Sequence, residues 1–413
     1  MKILFIHQNF PGQFKHLAPA LAAEGHQCLA LTLRVEKPTN WQGVAVLPYK
    51  LAPRAAQSVH PWLLDLDSKV THAEACYHAA MQIKAGGFEP DLIVAHPGWG
   101  EAMFLRDVWP QAKIGLYCEL YHATEYPHVA FDPEFDGDAE GTEILRLRMK
   151  NLNNHLHFPI ADAGISPTAF QADTYPAEFR GKISVIHDGI DTGAVGPDAT
   201  ARLKIAGVCD LSREDEVITF VNRNLEPYRG YHIFMRALPE LLKERPDATV
   251  LIVGGDEVSY GARPPAGQTW KQIFIDEVRG QIADEDWARV RFLGRIPYDQ
   301  FVRLLQVSRV HVYLTYPFVL SWSLLEAMSA QAAIVASDTG PVTEVIEHDA
   351  QGRLVDFFDR QAIVAEVCDL LEDAEARARL GRAARARVQA RYDLRAVCLP
   401  QQLEWVNGVM WDG

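Results

Sequence analysis

Short apolar runs recur along this chain, and each ends in a polar or Gly/Pro-rich loop from which a helix starts. Lys2–His7 (KILFIH) runs into Gln8-Asn9-Phe10-Pro11-Gly12, and a helix from Gln13 to Gly25 precedes the next run, Cys28–Leu33. Asp91–His96 (DLIVAH) leads into Pro97-Gly98-Trp99-Gly100-Glu101, and Ile114–Cys118 leads into Glu119, Tyr121 and His122. Helices are predicted over Ser68–Ala85 and Gly141–Phe158. Parallel strands cannot be joined by a tight turn, so this strand–helix–strand rhythm predicts parallel sheets covered by helices.

The rhythm stops and restarts. Ala163–Ser166 and Lys182–His187 close a first series, and residues 190–215 are polar and carry no strong period. A second series then runs through Val217–Val221, Val250–Val253, Val290–Leu293, Val310–Leu314 and Ala333–Ser337. A chain of 413 residues, 48% hydrophobic and 23% charged, suits two globular domains of about 200 residues each. The predicted division is 1–195 and 196–393, with a last helix over 394–413.

Composition excludes several function classes. A formal net charge of −14 argues against nucleic acid, whose phosphates call for clustered Lys and Arg. It also disfavours an anionic membrane as the default surface, although a local basic patch could still dock peripherally. The six cysteines are scattered, without a CxxC pair or a His cluster at metal-ligand spacing, which suits free thiols in a reducing compartment. No metal and no cofactor are expected, and a cytoplasmic location is.

Several residues stand out at strand ends, where open α/β sheets bind ligands. In the second half these are Arg223 and Arg229, past one strand, Arg295 past another, and Glu326 on the helix after a third. Arginine donors with a helix N-terminus suit a diphosphate, and an acid beside them suits the hydroxyls of a ribose. In the first half, His96, Trp99 and Glu101 cluster at one strand end. The GxGxxG fingerprint of dinucleotide binding is absent, though Gly12 leaves room for a ligand near the backbone. Tyr126 to Asp138 forms a long aromatic and acidic connection, the profile of a binding loop or lid. The D-x-D patterns at Asp65/Asp67 and Asp136/Asp138 read as loop acids.

With these residues in place, the chain resembles the family-4 retaining glycosyltransferases of the GT-B fold. The resemblance rests on Asn222-Arg223 with Arg229-Gly230, on Leu325-Glu326-Ala327-Met328, and on Val335-Ala336-Ser337-Asp338 with Gly340 and Glu344. HQNFPGQF, HPGWGE, FDPEFD and HDGIDT look like a bacterial subgroup with its own N-terminal domain. The resemblance implies two Rossmann-like domains facing each other across a cleft, an acceptor domain first and a nucleotide-sugar donor domain second, with the C-terminal helix completing the first. It implies a nucleotide diphosphate sugar as donor, UDP-sugar ahead of GDP-sugar, and a hydroxyl-bearing acceptor. Donor binding falls to Arg223, Arg229, Arg295, Phe318, Ser321, Glu326 and Gly12. Catalysis falls to Arg223, Arg229 and Glu119, and acceptor binding to His96, Trp99, Glu101 and His122. Two departures are visible. The first acid of the family's E-x7-E falls at Phe318, and its Gly-rich turn is replaced by Val319-Leu320-Ser321-Trp322.

Other readings make different predictions. A nucleotide-sugar epimerase on the same architecture would epimerise its donor without an acceptor. A non-catalytic binding or partner protein, suggested by Phe318, would bind nucleotide without releasing sugar. A nicotinamide dehydrogenase is disfavoured by the missing glycine fingerprint.

Overall fold

A computed structural model describes residues 1–52, 59–122, 128, 130–135 and 141–411. The chain divides into two compact units, one of 1–130, 138–189 and 395–413, the other of 131–137 and 190–394. The boundary therefore falls after Gly189, a few residues before the expected position 195, and the second unit also takes in a short segment from the first half of the sequence.

The first unit is built on an eight-stranded sheet: β1 (Lys2–Ile6), β2 (Gln27–Thr32), β3 (Thr39–Trp41), β4 (Val44–Pro48), β5 (Leu92–Ala95), β6 (Lys113–Tyr117), β7 (Ala163–Ser166) and β8 (Ile183–Val185). Their spatial order is β3-β4-β2-β1-β5-β6-β7-β8, parallel except for the edge pair β3/β4. β1 and β5 read as continuous apolar runs because helices cover both faces of the sheet, and Ile3–Ile6 and Leu92–Ala95 are fully buried. The helix Leu399–Trp411 belongs to this unit. Val406 is fully buried beside Ile3, Phe5 and Leu92, and the Trp405 indole N–H donates to the Gly164 carbonyl at 3.2 Å.

The second unit has a hairpin, β9 (Arg202–Ile205) with β10 (Cys209–Ser212), and a six-stranded parallel sheet. The sheet strands are β11 (Val217–Asn224), β12 (Thr249–Gly255), β13 (Val290–Gly294), β14 (Val310–Tyr313), β15 (Ala333–Ser337) and β16 (Arg353–Val355), in the order β13-β12-β11-β14-β15-β16. Its core joins Val217, Leu251, Leu304, Leu324, Leu325, Met328 and Ile334. Fully burying one such aliphatic side chain contributes about 1.5–3 kcal/mol.

Several local expectations are corrected. The helix predicted over Gly141–Phe158 is two, Thr142–Lys150 and Leu152–His157, followed by a 3₁₀ turn at Phe158–Ile160. The helix expected from Gln13 begins with a 3₁₀ turn, Gly12–Phe14, and becomes α-helical only at Leu17. Residues 202–212 form the hairpin, which is too short and too polar on its outer face to raise a periodic signal. Asp65 and Asp67 lie in the first turn of the helix Leu64–Ala85, where acids complement the helix dipole, and not in a loop.

Candidate functional site

Both sheets reverse their direction of growth once. In the second unit the chain builds β11, β12 and β13 outward, then returns to place β14 on the other side of β11. The crevice at the carboxyl ends of β11 and β14 is the switch point where such sheets bind ligands.

That crevice is floored by Arg229. Pro227–Arg229 makes a 3₁₀ turn after β11, and Gly230 follows with φ +67°. A Cβ on Gly230 would lie 2.3 Å from the Leu314 Cβ, so only glycine lets the helix Tyr231–Glu244 start this close to the end of β14. Arg229 is 5% exposed. Its Nη1 donates to Thr315 Oγ1 at 2.8 Å, to the Val319 carbonyl at 2.9 Å and to Tyr313 Oη at 3.4 Å. The Tyr260 and Phe318 rings lie 5.2 and 6.0 Å from its guanidinium carbon. Burial works against the charge, but Tyr313, Tyr260 and Glu226 outweigh it and hold the guanidinium more basic than usual.

The other two arginines differ. Arg223 lies within β11, next to its last residue, and not past the strand as expected, because the strand runs on through the polar Asn222–Asn224; it is exposed and, among the described residues, has no ion-pair partner. Arg295, just past β13, donates to Asn224 Oδ1 at 3.1 Å and pairs with Glu257 at 2.5 Å, both through Nη2. Glu326 lies on the helix Trp322–Ser329, is 8% exposed, and accepts from Tyr298 Oη at 2.7 Å. Burial and that carboxylate push the Tyr298 phenol up. Ser321 caps the same helix, accepting from the Ser323 N–H at 3.4 Å, and its own N–H donates to Tyr313 Oη at 3.0 Å. Phe318 is 9% exposed and packs on Tyr228 and Tyr260, with centroids 5.4 and 4.9 Å away.

Sequence reasoning missed Glu226. It is 1% exposed, and its carboxylate accepts from the backbone N–H groups of Ser259 at 3.1 Å and Tyr260 at 3.2 Å. Those bonds tie down the loop after β12 and set the Tyr260 ring over Arg229. An acid between Leu225 and Pro227, both buried, was the available signal.

In the first unit the switch point lies between β1 and β5. His7 follows β1, His96 and Trp99 follow β5, Tyr117 ends β6 and Glu119 lies just beyond it. The His7 ring is 5.2 Å from His96 and 5.0 Å from Trp99, and His96 lies 4.6 Å from Trp99 and 5.5 Å from Tyr117. Gln13 bridges the group, with Oε1 2.7 Å from His7 Nε2 and Nε2 donating to Glu119 Oε1 at 3.2 Å. Burial lowers His7 to about 4, only partly offset by Gln13, and burial with the neighbouring His7 and His157 lowers His96 well below its usual value. Both imidazoles are therefore neutral at pH 7. His96 Nδ1 accepts from the Gly98 N–H at 3.0 Å, while Nε2 points at Glu119 Oε2 from 3.7 Å, too far for a hydrogen bond. Gly12, at φ +48°, sits so close to His7 that a Cβ there would fall 2.3 Å from its Nε2. His7 and Gln13 were legible only as the end of KILFIH and the start of the helix after the loop.

Two expected acceptor residues are engaged by other partners. Glu101 is 1% exposed and accepts from Tyr49 Oη at 2.7 Å, so it faces the core, where burial raises its carboxyl. His122 Nδ1 is 3.1 Å from His128 Nε2, and burial with the Lys150 charge lowers it. Tyr126, Asp136 and Asp138 lie outside the described residues.

Among the described residues one trio, Asp132, Glu134 and His232, brings metal-ligand atoms within 4.8 Å of one another. Arg236 already spans both Glu134 oxygens, at 2.6 and 2.7 Å, and Tyr316 donates to Asp132 at 2.7 Å. No helix among the described residues is long and apolar enough to cross a membrane.

Known proteins match both halves. The family model "Glycosyl transferase family 4 group" matches residues 24–195, and "Glycosyl transferases group 1" matches 209–387. The phosphatidyl-myo-inositol mannosyltransferase of Mycolicibacterium smegmatis is 33% identical over 44% of this chain and 42% of its own. The D-inositol 3-phosphate glycosyltransferase of Streptomyces avermitilis is 28% identical over 54% of this chain and 47% of its own. The chain thus spans about half the length of the curated relatives it matches. Among solved structures, sucrose-phosphate synthase from Thermosynechococcus elongatus aligns over 98% of both chains with a TM-score of 0.73 at 19% identity. Anabaena HepE, solved with UDP and glucose, aligns over 99% of this chain and 100% of its own with a TM-score of 0.66 at 18% identity. At such identities these likenesses speak for the fold. With each half matched by its own glycosyltransferase model and both sheets of the expected parallel type, the chain belongs to the family-4 glycosyltransferases of GT-B fold.

Proposed function

We propose that this chain transfers a sugar, with retention at the anomeric carbon, from a nucleoside diphosphate sugar to an acceptor hydroxyl. The observation that carries this reading is the crevice between β11 and β14. At or just beyond those strand ends the chain carries an exposed cation with no ion-pair partner among the described residues (Arg223), a buried one (Arg229), the N-terminus of the helix Trp322–Ser329 and, on that helix, a shielded acid (Glu326). In this reading Arg223 meets the diphosphate directly. Arg229 contributes charge from beneath, since its Nη1 is spent on the loop Thr315–Val319. Glu326 accepts the ribose hydroxyls in exchange for Tyr298. As the bond from the anomeric carbon to the phosphate breaks, the leaving diphosphate gains charge, and the acceptor oxygen bonds to that carbon while its proton passes to the departing phosphate. Fixed donors aimed at such charge contribute about 3–4 kcal/mol each.

UDP-sugar is the favoured donor and GDP-sugar the next. HepE was solved with UDP-glucose, and a Corynebacterium glutamicum relative, 25% identical, is named as GDP-mannose-dependent. The cluster of His7, His96, Trp99 and Glu119 is the acceptor side of this reading. No metal is required, because the two arginines supply the positive charge, and the reaction is placed in the cytoplasm, in glycan or glycoconjugate synthesis. The acceptor class is a glycan, a lipid-linked sugar, a protein or a small molecule.

Calorimetric titration of the purified protein with UDP, GDP, ADP and NAD, without added metal, tests the reading. Saturable binding of one nucleoside diphosphate supports it, and binding of none overturns it. One observation favours a second reading: Phe318 puts an aromatic ring at the place of the first acid in the family's E-x7-E pattern, which suits a protein that binds nucleotide-sugar without transferring it. That reading predicts nucleotide binding with no release of free nucleoside diphosphate from any donor, in the presence or absence of acceptors.

A further inference from the structure

The FDPEF segment has a role that binding-loop composition did not reveal. Residues 131–137 belong to the second unit although 190–394 make up the rest of it. Two aromatic side chains hold the segment there. Phe131 packs on Tyr316, Phe357 and Phe358 at 5.0, 5.2 and 5.2 Å, and Phe135 packs on His232 and Trp270 at 5.1 and 5.3 Å. Between them, Asp132 is 1% exposed. Its Oδ2 accepts from Tyr316 Oη at 2.7 Å and lies 2.9 Å from Nε2 of the fully buried His232, while Oδ1 accepts from the Glu134 N–H at 3.0 Å.

A carboxylate buried this deeply is costly unless its oxygens are satisfied, so the groups that satisfy it are held in turn. Tyr316 is the one that matters. Its N–H donates to the Tyr228 carbonyl at 3.0 Å, its ring lies 4.6 Å from the Tyr228 ring, and its own carbonyl accepts from the Phe318 N–H at 2.7 Å. Tyr228 precedes Arg229 in the 3₁₀ turn, and Phe318 precedes Val319, whose carbonyl Arg229 holds. Tyr316 therefore links both walls of the β11/β14 crevice.

We propose that Asp132 is a positioning residue for the nucleotide crevice, fixing Tyr316 and through it the Thr315–Leu320 loop and the Tyr228–Arg229 turn. The proposal rests on the nucleotide-binding reading for its functional consequence, but not for its structural one. In this proposal Phe131, Asp132 and Phe135 act through the loop, whose shape they set, and not on the nucleotide itself.

The test uses the full chain and the variants Asp132→Asn, Tyr316→Phe and their combination, with Glu134→Gln as control. Hydrogen exchange is read first, without nucleotide. Asp132→Asn and Tyr316→Phe are each expected to raise exchange at residues 315–320 about tenfold over wild type, with β11 and β14 unchanged, and the double variant is expected to go no further than the more affected single. Glu134→Gln, which loosens only the exposed pair with Arg236, is expected to leave residues 315–320 as they are. Calorimetry then reads affinity for whichever nucleoside diphosphate wild type binds, and about a tenfold loss is expected in both single variants. Unchanged exchange at 315–320, a rise spread evenly over the unit, or additive effects in the double variant would each overturn the proposal. Should Asp132→Asn fail to fold, Tyr316→Phe, which deletes one hydroxyl, decides the matter. If wild type binds no nucleoside diphosphate, the functional reading falls, and the exchange data still decide whether Asp132 positions the loop.

Discussion

The Arg229 guanidinium donates to the Val319 carbonyl at 2.9 Å across 90 positions of sequence. This bond separates two arginines that look equivalent in NRNLEPYRG. Arg223→Ala, at an exposed site, is expected to change stability by no more than about 0.5 kcal/mol while weakening nucleoside diphosphate binding about tenfold. Arg229→Met leaves the Val319 carbonyl and Thr315 hydroxyl without their donor and is expected to cost about 2–4 kcal/mol as well as binding. Urea unfolding beside calorimetry separates the two effects. Equal stability losses would contradict the division of labour.

Tyr298 occupies one oxygen of Glu326, where the proposed ribose would sit. Tyr298→Phe removes that competitor and is expected to tighten nucleoside diphosphate binding two- to fivefold. Glu326→Gln is expected to weaken it at least tenfold. A tenfold loss in Tyr298→Phe would instead make Tyr298 part of the nucleotide contact.

Glu226 fixes the loop that carries Tyr260. Glu226→Gln replaces one accepting oxygen by an N–H₂ group that faces backbone donors, so a destabilisation of about 1–3 kcal/mol is expected. Cleavage by a protease during limited digestion should move to residues 257–263. Digestion that leaves this loop intact would show that other contacts hold it.

Buried histidines set the acid response of the first unit. Burial lowers His7, His157 and His187 to about 4 each, below the ordinary 6.5 of the unfolded chain. Between those values the unfolded state binds more protons than the folded one. Stability therefore falls as pH drops from 6.5 toward 4, by roughly 1.4 kcal/mol per pH unit for each histidine. Urea midpoints at pH 7, 6 and 5 should show the fall, and His157→Gln should reduce its slope by one proton. A flat profile would mean that these imidazoles protonate freely in the folded state.

The α/β character of both halves was legible because fully buried parallel strands such as Ile3–Ile6 and Val250–Val253 must be continuous apolar runs. The strands β3, β4, β9 and β10 were not legible, since half-exposed strands dilute that signal with polar residues. Among site residues, Arg223, Arg295 and Glu326 stood out because charge at an apolar strand end or helix has few structural uses. Glu101 stood out for the same reason and proved to be a core acid bonded to Tyr49.

By itself the sequence determined the order of the buried parallel strands and the set of strand-end residues, both of which follow from local hydrophobic patterning. Only the tertiary structure decided which of those residues share a crevice, which are buried and which remain open to a ligand. Arg223 and Arg229 lie six positions apart with the same side chain, yet one is exposed and the other spent on Thr315 and Val319. The partners that make this difference come from the loop after β14, and those that fix Tyr316 come from residues 131–135. Such contacts join segments far apart in the chain, and no local pattern encodes them.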